Sequence, residues 1–309
     1  MKTQYSFHPG ERAAQAKAGE TAIADRNAAL VSDTVIGGAR PFIAKQFMVA
    51  LGSVDRAGRP WASLVFGKPG FLQAGDGTSI AMHVPQWERD PEDPLWDNIA
   101  GNPDLGMLFI ELGSRRRYRI NGSVTRFDAD GVDVAIREAY PNCPSYIQRR
   151  QLRVQGDPGL PRQAAHGAVL RGSVAQLVRG ADTIFVASRH AQNGADASHR
   201  GGGAGFVQVL DESTLRIPDF NGNSLFNTFG NFALDPRAGL CIPDFAGGRV
   251  LQLTGVASVL WDQEDPANQT GGTGRYWEFK VERWILRDTQ QPLEWEYLDA
   301  SPFNPPVSL

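Results

Sequence analysis

Asn98–Gly122 reads NIAGNPDLGMLFIELGSRRRYRING, and Asn231–Gly255 reads NFALDPRAGLCIPDFAGGRVLQLTG. Asn98, Pro103, Gly106 and Gly122 return without a gap 133 residues later as Asn231, Pro236, Gly239 and Gly255. Between them one apolar run answers another, Glu111 answers Asp244 and Arg116 answers Arg249. A two-residue length change upstream aligns Pro69-Gly70-Phe71-Leu72 with Ala204-Gly205-Phe206-Val207, and further up Phe47–Ala50 meets Ile184–Ala187. Two hairpins that merely share turn chemistry do not explain the upstream matches, so the chain is read as an internal duplication.

Each copy is β-rich. Phe47–Leu51, Ser79–His83, Gly106–Ile110 and Arg117–Val124 are short apolar runs bounded by Gly, Pro, Asp and Asn. The second copy offers Thr183–Ala187, Gly205–Leu210, Thr214–Ile217, Gly239–Ile242 and Val250–Val259. Trp277–Glu282 alternates apolar and charged, as a half-buried final strand does. Helices are expected over Val132–Tyr140, Gln163–Val178 and Leu225–Leu234, the last capped by Asn223 or Ser224 and stopped before Pro236. Repeated short strands with few helices indicate antiparallel barrels, mainly β with minor α. The Pro/Gly connector Gln155–Pro161 sets the boundary: 1–155 is the first repeat with an N-terminal helical arm, and 156–309 is the second. No GxGxxG follows a strand and opens a helix, so the chain is not read as a dinucleotide-binding α/β domain.

Composition narrows the function. The chain has 309 residues, 31 Lys+Arg and 34 Asp+Glu, so a strongly basic nucleic-acid surface is not expected. Two cysteines, Cys143 and Cys241, favour a reducing compartment. Met1–Glu20 is polar and lacks an apolar signal core, and no apolar run approaches the ~20 residues of a membrane helix. The expectation is a cytoplasmic protein. His8, His83, His166 and His190 have no ligand spacing, so no metal is expected. Cys143, in Asn-Cys-Pro, is read as a lone buried cysteine rather than a reactive thiol.

The chemistry concentrates between Gly194 and Asn231. Ser198-His199-Arg200 beside Gly201-Gly202-Gly203 sets a hydroxyl, an imidazole and a guanidinium next to unshielded backbone N–H groups, a combination that suits a phosphate. The triplet aligns with Ser63-Leu64-Val65, so the first copy keeps the serine and loses both charges. That asymmetry points to a site kept in copy two and degenerate in copy one. Pro218 and Asp219 end a strand, and Asn223, Asn227 and Thr228 supply amides and a hydroxyl near a helix start. Ser198 and His199 are neighbours on a strand and point to opposite faces, a poor hydrolytic couple.

These residues resemble a known family. The pattern Gly-Ala-Asp-x-Ser-His-Arg-Gly-Gly, then Gly-Phe-Val-x-Val-Leu-Asp, Pro-Asp-Phe-x-Gly-Asn and Phe-x-Thr-x-Gly-Asn, is similar to the pyridoxamine 5′-phosphate oxidase-like, FMN-binding split-barrel proteins. Phe7–Glu11, Arg115–Gly122 and Asn142–Arg150 resemble its two-repeat branch. The oxidase's Arg-x-Val-Leu-Leu-Lys strand and Ser-Arg-Lys triplet are replaced by Phe206–Asp211 and Gly222-Asn223-Ser224, so vitamin B6 oxidation is not implied. What the resemblance implies is two tandem split barrels forming a pseudo-dimer, with FMN at their seam. Arg115, Arg116 and Arg117 are then candidates lent by copy one, within the Arg115–Arg119 cluster, or else a solvated strand face. Arg149, Arg150, Trp61 and Trp96 are similar candidates. The implied function is a flavin-dependent oxidoreductase taking a small-molecule substrate and a nicotinamide donor, with His199 or a backbone N–H stabilising reduced flavin. A non-catalytic flavin carrier or sensor, a deazaflavin ligand and a homodimer are the alternatives carried forward.

Overall fold

The structure is a computed structural model that describes residues 5–160 and 164–307. In the first half the order is α1 (Pro9–Lys17), α2 (Thr21–Asn27), α3 (Arg40–Ala44), β1 (Met48–Val54), β2 (Pro60–Phe66), β3 (Leu72–Gln73), β4 (Ser79–Met82), α4 (Leu95–Gly101), β5 (Asp104–Glu111), β6 (Arg116–Phe127), β7 (Val132–Asn142) and β8 (Arg149–Gln155). The second half has β9 (Ala165–Gly167), α5 (Gly172–Gly180), β10 (Thr183–His190), β11 (Gly194–Gly201), β12 (Gln208–Val209), β13 (Thr214–Pro218), α6 (Asn227–Leu234), β14 (Arg237–Asp244), β15 (Arg249–Leu260), β16 (Tyr276–Asp288) and β17 (Leu293–Asp299).

Two antiparallel sheets share one topology. The first runs β2-β1-β5-β6-β7-β4-β3 and the second β11-β10-β14-β15-β16-β13-β12. β9 joins the edge of β16, and β8 pairs with β17 as a separate ribbon. This is a mostly β, split-barrel chain built twice. Among the described residues no helix is long and apolar enough to cross a membrane.

The duplication extends to side chains. Asn98 Nδ2 donates to Ser53 Oγ at 3.0 Å, and Asn231 Nδ2 donates to Ser188 Oγ at 2.9 Å. Pairing also corrects the alignment of the first strands. Gly52 faces Gly106 and Ala187 faces Gly239, which sets Val49 on Ile184 and moves the expected match of Phe47 by two residues. The cause is burial: β1 is covered on both faces, so no polar alternation fixes its register.

The copies meet face to face. Val49 and Leu51 of β1 point into the first core, while Met48 and Ala50 join Leu64, Leu108, Phe185, Ala187 and Cys241 in a shared apolar layer. Two glycines permit the contact. A Cβ on Gly106 would stand 2.5 Å from the Asp196 backbone, and one on Gly239 would stand 2.6 Å from the Pro60 carbonyl oxygen. Their equivalence by the repeat makes this a pseudo-twofold seam.

Five local expectations change. Val132–Tyr140 is strand β7, because Val132 and Val134 enter the core between β4 and β6 and tertiary pairing outweighs helix propensity. Of Gln163–Val178, Gln163 lies outside the described residues, as does Pro161 of the connector and the start of Met1–Glu20; the rest forms β9 and the short α5. Helix α6 starts at Asn227 with no side-chain cap, after Ser224 and Phe226 in left-handed backbone. The alternating Trp277–Glu282 lies within β16 and is not the last strand, and Gly205–Leu210 contributes only the two residues of β12.

Candidate functional site

A cleft opens at the seam where β11 of copy two faces β6 of copy one. Counting the open solvent at its mouth it encloses about 670 Å³. His199 and Arg200 come from β11, and Arg117 and Arg119 from β6, where alternate residues share one face. Asp219, Phe220, Asn223, Phe226, Asn227 and Thr228 come from the chain between β13 and α6, and Arg275 from the approach to β16. Glu20 arrives from the N-terminal arm, and Asn142 and Cys143 from the end of β7.

The arm is clamped against α6. His8 Nδ1 accepts from the Gly10 amide at 3.2 Å, while the Glu11 carboxylate accepts from the His8 amide at 2.9 Å and from Asn227 Nδ2 at 2.6 Å. Asn227 Oδ1 in turn accepts from Tyr140 Oη at 3.2 Å, and Tyr140 Oη accepts from Arg119 at 3.0 Å. One buried chain therefore links the arm to the cleft floor.

The charges do not balance. Arg275 is bonded to Asp219 and to Glu20, each at 3.0 Å. Arg119 pairs with Asp196 at 3.0 Å. Arg200 reaches Asp219 only at 3.9 Å, and Arg117 has no carboxylate partner among the described residues. Four guanidinium groups meet three carboxylates, and the cleft keeps one positive charge in excess. Arg117 Nε donates to the Cys143 carbonyl at 2.6 Å, with Nη1 3.3 Å from His199 Nδ1. Burial, then the neighbouring Arg119 and Arg200, push the Arg117 guanidinium down to about 9. Burial first, then Arg117 and Arg200, hold the His199 imidazole well below its ordinary value, and burial also lowers Arg200. Burial raises the Asp219 carboxyl against the pull of Arg200 and Arg275.

Three donors or donor-capable atoms lining this cleft, Arg119 Nε, Arg200 Nε and His199 Nε2, are buried with no hydrogen-bond partner among the described residues. Buried polar groups are rarely left so, and each costs about 1–3 kcal/mol. An oxyanion seated here would accept from them and offset the surplus charge. The residues present fit a phosphate-bearing group.

Residues 38–155 match the family model described as pyridoxamine 5′-phosphate oxidase. That stretch, most of the first copy, is similar to the pyridoxamine 5′-phosphate oxidase family. No curated protein matches it. Among solved structures, a putative pyridoxamine 5′-phosphate oxidase from Lactobacillus delbrueckii is 14% identical, covers 40% of this chain and 98% of its own, with a TM-score of 0.32. A Clostridium acetobutylicum protein of the pyridoxinephosphate oxidase family is 12% identical over 38% of this chain and 89% of its own, with a TM-score of 0.29. A FAD-binding protein from Mesorhizobium loti is 8% identical over 41% of this chain and 99% of its own, TM-score 0.29.

The structure gathers His199, Arg200, Asp219, Asn223, Asn227, Thr228 and Arg117 around the cleft. It sets four nominated residues elsewhere. Ser198 bonds to Thr228 Oγ1 at 3.2 Å behind the wall, and a Cβ on Gly201 would run into the Tyr146 carbonyl. Pro218 is buried at the end of β13. Arg116 alternates to the opposite face of β6 from Arg117, where its guanidinium lies 5.1 Å from the Phe42 ring. Arg149 and Arg150 pair with Asp299 and Asp182, away from the cleft. Trp61 lies in the buried seam, its indole 3.3 Å from Asp55, and Trp96 lies in copy one. Cys143 is exposed at the cleft, contrary to the buried thiol expected.

Glu20, Arg119, Arg275 and the walls Phe220 and Phe226 were not singled out from sequence. The Arg115–Arg119 cluster held a usable signal for Arg119, because strand alternation puts Arg117 and Arg119 on one face. Glu20 and Arg275 meet across 255 residues, and nothing local announces it.

Proposed function

We propose that the chain is an FMN-dependent oxidoreductase that seats the cofactor's phosphate against Arg117, Arg119, Arg200 and His199. The observation that carries this reading is the surplus positive charge, drawn from both copies and surrounded by orphaned donors. In this reading residues 1–155 and 156–309 form a pseudo-dimer and build the site within one chain. Asn223, Asn227 and Thr228 offer polar contacts to the ring edge, and Phe220, Phe226 and Leu108 an apolar wall. FMN when bound supplies hydride or electron transfer, and the protein supplies binding, orientation and electrostatics. His199, neutral when the cleft is free of anions, gains a reason to hold a proton once an anion sits beside it. Glu20 and Asp219 are both committed to Arg275, so neither carboxylate serves as a free base. The two cysteines are free, in keeping with work in the reducing cytoplasm.

Turnover requires a small-molecule substrate and an electron donor, for which a nicotinamide is the first choice. Purified protein should show the two flavin absorption bands, and anaerobic NADH or NADPH should bleach them. Bound flavin that neither nicotinamide reduces makes the protein a carrier or sensor. A protein that binds no flavin sinks the proposal.

A further inference from the structure

We infer that the pocket related to the cleft by the internal repeat has become a permanent ion-pair lock, so that each chain takes one anionic ligand and not two. Strand pairing sets the equivalences. Leu51 faces Ser63 as Val186 faces Ser198, so Leu64 and Val65 stand where His199 and Arg200 stand in the cleft. By the repeat, Val250 and Gln252 stand for Arg117 and Arg119. Arg287 faces Val250 across β15 and β16 as Asn142 faces Arg117 across β6 and β7.

The counterparts of His199, Arg200, Arg117 and Arg119 are thus uncharged, and the one cation lining the twin pocket among the described residues, Arg287, is spent. Its Nη1 donates to Asp90 at 2.8 Å, its Nη2 to Asp93, and its Nε to Gln252 Oε1 at 3.0 Å. The second oxygen of Asp93 accepts from Ser63 Oγ at 2.6 Å and from the Leu95 amide at 3.0 Å. Gln252 Nε2 donates to the Ala62 carbonyl and to Ser63 Oγ, each at 2.9 Å. Arg287, Asp90 and Asp93 are all buried. No side-chain atom of the Arg287–Asp90–Asp93–Gln252 network is orphaned; the pocket's two unpartnered donors, Trp96 Nε1 and Gln290 Nε2, are neutral, whereas two of the cleft's belong to guanidinium groups. A guanidinium from copy two therefore enters a loop of copy one, at the seam position where the cleft leaves room for a ligand. An anion entering the twin would meet Glu88, Asp90 and Asp93 and displace the bonds that join the copies.

The count of one ligand per chain rests on the reading of the cleft as an FMN site; the lock does not. Two measurements keep them apart. Titration of the ligand-free full chain with FMN should saturate at one equivalent. Two equivalents overturn the inference; no binding refutes the FMN reading and leaves the lock to the second measurement. That is thermal unfolding without ligand. Arg287→Met should lower Tm by about 5 °C or more, because it strands two buried carboxylates. Arg200→Met, whose partner Asp219 keeps Arg275, should shift Tm by no more than about 2 °C. Arg287→Lys keeps the charge without the fork and should fall between wild type and Arg287→Met; it stands in if the methionine variant does not fold. Equal small shifts for the Arg287 and Arg200 variants overturn the lock.

Discussion

Arg117→Met separates a binding role from a structural one. The wild-type guanidinium has one firm bond, to the Cys143 carbonyl, and its pKa is lowered by burial first and then by two cationic neighbours. Removing it from the ligand-free chain loses a hydrogen bond of about 0.5–1.5 kcal/mol and relieves repulsion among like charges. The two effects oppose, so apo stability should change by less than about 1 kcal/mol. With a phosphate bound the balance differs. Arg117 then supplies a charge-assisted bond worth about 1.5–3 kcal/mol, and its loss should raise the FMN Kd roughly 10- to 150-fold. Quenching of flavin fluorescence gives Kd, and urea unfolding of the apo chain gives stability. Arg116→Met, one residue away on the other face of β6, should leave Kd unchanged. If Arg116→Met and Arg117→Met weaken binding equally, or if Arg117→Met destabilises the apo chain by as much as it weakens binding, the reasoning fails.

Arg200→Ala should weaken FMN binding by at least about 1.5 kcal/mol, whereas Val65→Ala, its counterpart in copy one, should have no effect by the same titration. Burial holds the Glu11 carboxyl up to about 7, above its ordinary 4.5, so the folded chain keeps that proton longer than the unfolded one. Its contribution is complete below pH 4.5 and fades as pH rises through 7. Glu11→Gln should therefore flatten the pH dependence of urea midpoints between pH 5 and 8 by on the order of 2 kcal/mol, and parallel profiles would count against this assignment. Gly106→Ala and Gly239→Ala should each destabilise by about 3 kcal/mol, because a methyl group forces the two sheets apart, while Gly37→Ala meets nothing within 4 Å and should be close to neutral in the same unfolding assay.

Sequence carried the duplication because Asn98, Pro103, Gly106 and Gly122 do jobs that each copy repeats: an Asn–Ser tie, a strand start, and close backbone contacts across the seam at Gly106 and within the sheet at Gly122. It carried the asymmetry too, since Leu64 and Val65 against His199 and Arg200 is a difference of charge visible in the letters. It failed where local pattern is silent. The full extent of strand β11 is missing from the apolar runs read as strands, because small residues stand where it crosses β5 and β1 of the other copy. β7 looked helical because its order depends on neighbours on both sides. Both Arg116 and Arg117 were nominated although a strand can send only one of them to the cleft. The lock at Arg287 was invisible because its partners lie nearly 200 residues earlier.

Mass spectrometry of the ligand released from gently purified protein, with flavin titration of the stripped chain beside it, tests the assignment most directly. The account predicts FMN, held by a chain that rebinds it when it is returned. A released haem, a phosphate compound with no isoalloxazine ring, or a stripped chain that ignores added FMN would contradict it.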